Sequence, residues 1–188
     1  MMRAIVNSKK MKIIISEKFE KEAKDYAVLS KSFTSNRHDF HEGGLDAKQK
    51  KMFEGKLGEK AIKQLFIDNN IKFEEDKTSH EEADDFDFLV FDIDGEKLKV
   101  DVKTRTQNFH IRTLEMVEQM KNKPKNIYFS VRLYDTYPYE VELIGYATKS
   151  DFLTVNRVEN HGYLDNYVLF DNELNEVKTI IGKLQKNE

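Results

Sequence analysis

The sequence predicts an α/β (α+β) fold with a mixed central sheet flanked by helices. Three observations carry this expectation. Phe53, Leu57, Ala61, Leu65 and Phe66 recur at helical spacing. Two β-rich runs flank Asp94-Gly95, a tight hairpin turn signal. Further strand-like runs then follow a helix-like segment, an order that suits a layered sheet.

Taken in order, residues 11–16 (MKIIIS) read as a short strand, and Ser16 as the cap of a helix reaching about Ser30. That helix puts Phe19, Ala23, Tyr26 and Ala27 on one face. Residues 31–45 read as a loop. Asp46 opens the second helix, which runs to about Asn69, and Ile71-Lys72-Phe73 is a short strand. The acidic stretch 75–85 is loop-like. Phe86 to Ile93 and Glu96 to Thr104 form the hairpin. In its second strand Leu98, Val100 and Val102 share one face, and Lys99, Asp101 and Lys103 the other. A helix is expected over Ile111 to Asn122, with Leu114, Val117 and Met120 inward. Strands are expected at 126–134 and 139–147, a loop with short strands at 153–172, and a terminal helix at 173–186. The chain thus divides into an N-terminal strand/helix extension (1–44), a core (45–150) and a C-terminal extension packing on the core (151–188).

With 188 residues, the chain is long enough to bury a core without staples. It has no cysteine, which excludes disulfides and thiolate metal sites and fits a cytoplasmic location. No stretch is long and apolar enough for a membrane span. The net charge of −3 excludes a wholly basic nucleic-acid-coating protein, but not an acidic enzyme with clustered cations.

The chemistry-bearing pattern begins at Asp101-Val102-Lys103. Residues two apart on a strand point the same way, so a carboxylate and an ammonium are presented together. Acid-x-Lys is a cheap pattern and also occurs at Glu22/Lys24, Asp46/Lys48, Glu54/Lys56, Glu75/Lys77 and Glu176/Lys178. Only the Asp101 copy lies in a firm strand opposite a second acid, Asp87. Counting back from the turn sets Asp87 opposite about position 102. A charge at Asp87, among Phe86, Phe88, Leu89 and Val90, is costly unless a cation or donor meets it. Asp87, Asp101 and the Val102 carbonyl are hard oxygen donors suited to Mg²⁺, with Mn²⁺ as substitute. On the preceding helix Glu59 lies beside Gly58 and Ala61. Glycine inside a helix costs about 1 kcal/mol against alanine, so Gly55 and Gly58 imply either close packing over a site or a kink or helix start.

L-G-E-K-A at 57–61, D-F-D-F-L-V at 85–90 and V-D-V-K-T at 100–104 together resemble the PD-(D/E)xK, or restriction-endonuclease-like, nuclease superfamily. The likeness covers roughly residues 45–148 and includes that family's αβββαβ core order. Phe86 stands where the family name has proline, and Asp85 is a rival to Asp87 as first metal acid. The resemblance implies a metal-dependent nuclease that hydrolyses phosphodiester bonds, with DNA the favoured substrate. Asp87, Asp101 and Val102 would hold the metal, with Glu59 helping as a ligand through a bound water or a second metal. Lys103 would position or deprotonate the attacking water, or neutralise charge in the transition state. Pairing of two copies is an expectation for an enzyme that cuts both strands. Endo- and exonucleolytic cleavage are both left open. The alternative is a non-catalytic nucleic-acid-binding or protein-interaction domain on the same fold.

Thr104, Arg105 and Gln107 are the candidate substrate contacts, since hydroxyls, amides and guanidinium suit phosphate. Lys48, Lys50, Lys51, Lys56, Lys60 and Lys63 offer either a basic rim or a solvated face. The His38-Asp39-Phe40-His41-Glu42 run is set aside as a zinc site, having no cysteine or second histidine pair. No P-loop, dinucleotide fingerprint or nucleophile elbow is present.

Overall fold

The structure is a computed structural model, and it describes residues 11–30, 45–76, 85–160 and 164–187. The expected loop at 31–45 and the set-aside histidine cluster fall almost wholly outside these residues.

Strand β1 (Lys12–Ile14) leads into helix α1 (Glu17–Leu29). The Ser16 hydroxyl accepts the Phe19 amide at 3.3 Å, as an N-cap should. Helix α2 (Leu45–Asp68) follows, then β2 (Phe73–Glu75), β3 (Phe88–Phe91) and β4 (Lys97–Arg105). Next come β5 (Arg112–Met116), α3 (Val117–Asn122), β6 (Ile127–Tyr134) and β7 (Glu140–Thr148). The chain ends with α4 (Lys149–Val155), β8 (Val158–Asn160), β9 (Asp165–Phe170) and α5 (Val177–Ile181).

The main sheet has six strands in the order β1-β7-β6-β4-β3-β2. Its β4/β6 pair is parallel and its other pairs antiparallel, so the sheet is mixed as expected. A parallel pair needs a crossover, and here β5 and α3 supply it. Strands β5-β9-β8 form a second, three-stranded sheet. The described part of the N-terminal extension is integral to the main sheet, because β1 pairs with β7.

Helix α2 packs Leu57, Ala61, Leu65 and Phe66 into the main core with Phe88, Val90, Val100, Phe129 and Val131. Gly58 permits this approach. A Cβ there would stand 1.9 Å from Thr104 Oγ1 and 3.0 Å from Val131 Cγ2. Gly55 faces open space and has no such role. A smaller cluster of Met120, Tyr128, Ala147, Phe152 and Leu169 fills the opposite side of β6.

Two expected elements differ. The helix expected over Ile111 to Asn122 is a strand followed by a six-residue helix. Strand β5 pairs with β9, which lies some fifty residues on, and buries Thr113 and Glu115 while Leu114 is 36% exposed. Its inward face is therefore polar, which inverts the usual hydropathy signal. The expected terminal helix is only Val177–Ile181, because Leu184 and Lys186 bridge to Asp92 and Ile71. Among the described residues no helix is long and apolar enough to cross a membrane.

Candidate active site

Strands β3 and β4 are joined through the Asp94-Gly95 turn, where Gly95 takes φ +87°, a conformation glycine adopts without strain. Phe88 pairs with Val100, so the next position back, Asp87, falls opposite Asp101, one residue from the sequence count. The ladder ends there. The Asp87 amide still donates to the Val100 carbonyl at 2.9 Å. The Val102 amide instead donates to Asp87 Oδ2 at 2.6 Å, the carboxylate replacing a backbone acceptor.

Burial, then Glu59 and Asp101, push the Asp87 carboxyl well above the usual carboxylate range; Lys56 and the Val102 amide oppose this only in part. The three acids expected from the sequence are thus near enough for Asp87 to feel both others. Asp85 is turned elsewhere: it pairs with Lys99, which holds its carboxyl below the ordinary value. Of the two rivals, Asp87 is the one set beside Asp101.

Lys103 lies on the Asp101 side of β4. Its Nζ is 2.9 Å from Asp101 Oδ2 and 2.7 Å from Glu115 Oε2. Glu115 is only 1% exposed. Burial lowers the Lys103 pKa, but the two carboxylates outweigh it and hold the ammonium above its ordinary value. Burial likewise raises the Glu115 carboxyl. Asp101 Oδ2 and both Glu115 oxygens are buried without a well-formed hydrogen bond, so Lys103 meets them as a charge more than as an aligned donor.

Glu59 sits across the site on α2, 2.7 Å from Lys56 Nζ. Lys56 lies 4.1 Å above the Tyr26 ring, and neighbouring acids raise its pKa despite its burial. Lys56 is therefore not part of a solvated rim. Lys60 and Lys63 also turn inward, to Glu22 and Glu75, tying α2 to α1 and β2. Among the described residues no group of three or more Asp, Glu or His side chains is arranged to hold a metal ion. Two lysines, Lys56 on Glu59 and Lys103 on Asp101, neutralise the acids instead.

The candidate substrate contacts separate. Thr104 faces α2, its hydroxyl 3.4 Å from the Gly55 carbonyl. Arg105 is buried and bonded to the His110 carbonyl, the Ser130 hydroxyl and Asp171. Gln107 is exposed and lines a cavity with Lys50, Phe53 and Tyr139. Sequence reasoning missed Glu115 and the inward role of Lys56. The alternation in R-T-L-E-M was the available signal for Glu115. Lys56 and Glu59, three apart on one helix face, were the signal for the other.

No family model, curated protein or solved structure matches this chain.

Proposed function

We propose that the chain is a metal-dependent nuclease that hydrolyses phosphodiester bonds in DNA, with Asp87, Asp101, Lys103 and Glu59 as its catalytic side chains. One observation carries the reading. The end of the β3–β4 hairpin brings two carboxylates together, with Val102 fastened between them and Lys103 beside them.

The donor chemistry fits Mg²⁺ or Mn²⁺. Asp87 is buried and disfavoured as an anion by its neighbours, and Asp101 has a buried oxygen lacking a hydrogen bond. Both would gain from a hard divalent cation, with the Val102 carbonyl as a third oxygen donor. When bound, the cation supplies a nucleophile at neutral pH and polarises the phosphoryl oxygen.

The chain's own groups do the rest. Lys103, held protonated by Asp101 and Glu115, acts as a fixed cation and donor toward a phosphate oxygen as negative charge grows. The same elevation argues against Lys103 taking a proton from water. Glu59 orients water on the α2 side in this reading, and its ion pair with Lys56 supports a fixed carboxylate there. Incubation of plasmid, linear DNA and RNA with Mg²⁺ or with EDTA tests the reading. Cleavage must require the metal and must be lost in Asp101→Asn.

A nucleic-acid-binding or protein-interaction domain on this fold is the second reading. The Asp101–Lys103–Glu115 cluster favours it, because these charges already form ion pairs with one another. A thermal shift specific to Mn²⁺ or Mg²⁺ and dependent on Asp87 would count against it.

A further inference from the structure

We infer that the cavity bordered by Lys103 is a nucleotide subsite that takes an unpaired base of the substrate strand, stacked on Phe109. The polymer class rests on the nuclease reading; the subsite rests on the following observations.

The cavity has a volume of about 490 Å³, within the usual range for small-ligand sites. Lys103, Arg105 and Arg112 line it, and none of its lining residues is acidic. The cavity on the other side of the candidate site is the opposite: Glu22, Glu59, Glu75, Asp76 and Asp87 line it against Lys56 and Lys60. Each of these cations is already paired, Lys103 with Asp101 and Glu115, Arg105 with Asp171 and Arg112 with Glu159, so the wall offers held hydrogen-bond donors rather than net positive charge. Arg105 borders the cavity while engaged with the His110 carbonyl, the Ser130 hydroxyl and Asp171. Its side chain is 7% exposed, yet its buried Nε has no hydrogen-bond partner. Thr113 and Ser130 add hydroxyls to the wall.

Phe109 supplies the stacking surface. It is 75% exposed, and its ring meets His110 edge-on at 4.5 Å. A turn closed by the His110 amide on the Gln107 carbonyl carries it. Leu114, also exposed, continues the apolar border. A phenyl face beside fixed cations is how proteins hold single strands, because every base has a π-face whatever its sequence. A base locked in a duplex cannot offer that face, so the geometry selects single strands, flaps or frayed ends over blunt duplex.

The test is fluorescence anisotropy of the full chain in EDTA with a short fluorescein-labelled single-stranded oligodeoxynucleotide, and with its blunt duplex. Phe109→Ala is expected to weaken single-strand binding by about tenfold, and Phe109→Trp to restore it. Ile93→Ala removes an equally exposed apolar residue at the hairpin turn and is expected to bind like the parent. Unchanged single-strand binding by Phe109→Ala, or equal loss on both probes, overturns the subsite. A cleavage assay of the same variants separates the two claims. If the parent cleaves DNA but Phe109→Ala binds normally, the subsite falls and the nuclease stands. If Phe109 carries single-strand binding but nothing is cut, the nuclease falls and the subsite stands.

Discussion

Asp87 Oδ2 accepts the Val102 amide at 2.6 Å, fastening the acid before β3 to the residue between Asp101 and Lys103. This bond fixes the relative placement of all three functional side chains on the hairpin. Asp87→Asn keeps an oxygen acceptor for that amide but removes a disfavoured charge. The Asp87 pKa is raised in the fold, so the folded protein binds more protons than the unfolded chain. Stability therefore falls as pH rises from the ordinary aspartate range through the folded pKa. In EDTA at neutral pH, Asp87→Asn is expected to melt higher than the parent, with the gap closing toward pH 4. Mn²⁺ should stabilise the parent and not the variant.

Glu173 has the opposite sign. Arg157 donates to it from both terminal nitrogens, at 2.7 and 2.9 Å, and the Phe170 amide donates a third hydrogen bond. These bonds hold its carboxyl at about 2. Its stabilisation is present above the ordinary glutamate pKa and is lost as pH falls toward about 2. Glu173→Gln is expected to lower the melting temperature at neutral pH, with the difference vanishing in acid. Thermal scans across pH check both signs.

Lys103→Ala should lower cleavage by roughly a hundredfold or more. It should also lower stability by about 3 kcal/mol, because it leaves the buried Glu115 carboxylate without its cation. Adding Glu115→Gln to Lys103→Ala is expected to recover most of the melting temperature and none of the activity. Recovery of cleavage in the double variant would show that Lys103 serves the fold alone.

Gly55 and Gly58 stand three apart on α2 and are expected to respond in opposite directions. Gly58→Ala drives a methyl into Thr104 and should cost about 1–3 kcal/mol. Gly55→Ala meets nothing and should stabilise by about 0.5–1 kcal/mol through helix propensity. Urea unfolding of the two variants reads this directly.

Glu54 tests whether the acid-x-Lys pattern means anything outside β4. It pairs with Lys50 at 3.7 Å, away from Asp87 and Asp101. Glu54→Ala is expected to cut at the parent's rate in the assay that registers Asp101→Ala as inactive.

Much of the frame was legible because local signals agreed with the tertiary outcome. Ser16 caps α1, the α2 apolar stripe is buried, and Asp94-Gly95 sets a register only one residue from the count. Strand β5 was not legible. Its partner β9 is remote in sequence, and its buried positions are Thr113 and Glu115, so pattern reading preferred a helix. The same inversion hid Glu115 as the partner of Lys103. Helix α4 announced itself through Thr148 and Asp151, whose reciprocal capping box is an ordinary start signal that the sequence reading passed over. Of the candidate substrate contacts, Arg105 shows why residue type alone misleads: a guanidinium suits phosphate, but this one is engaged with Asp171, Ser130 and the His110 carbonyl.

Incubation of supercoiled DNA with the parent and with Asp101→Asn, in Mg²⁺ and in EDTA, addresses the central claim most directly. The account predicts nicked or linear product from the parent with Mg²⁺ alone, and none from the variant. Intact DNA in every lane under conditions where the parent is folded, or equal cutting by the variant, would contradict it.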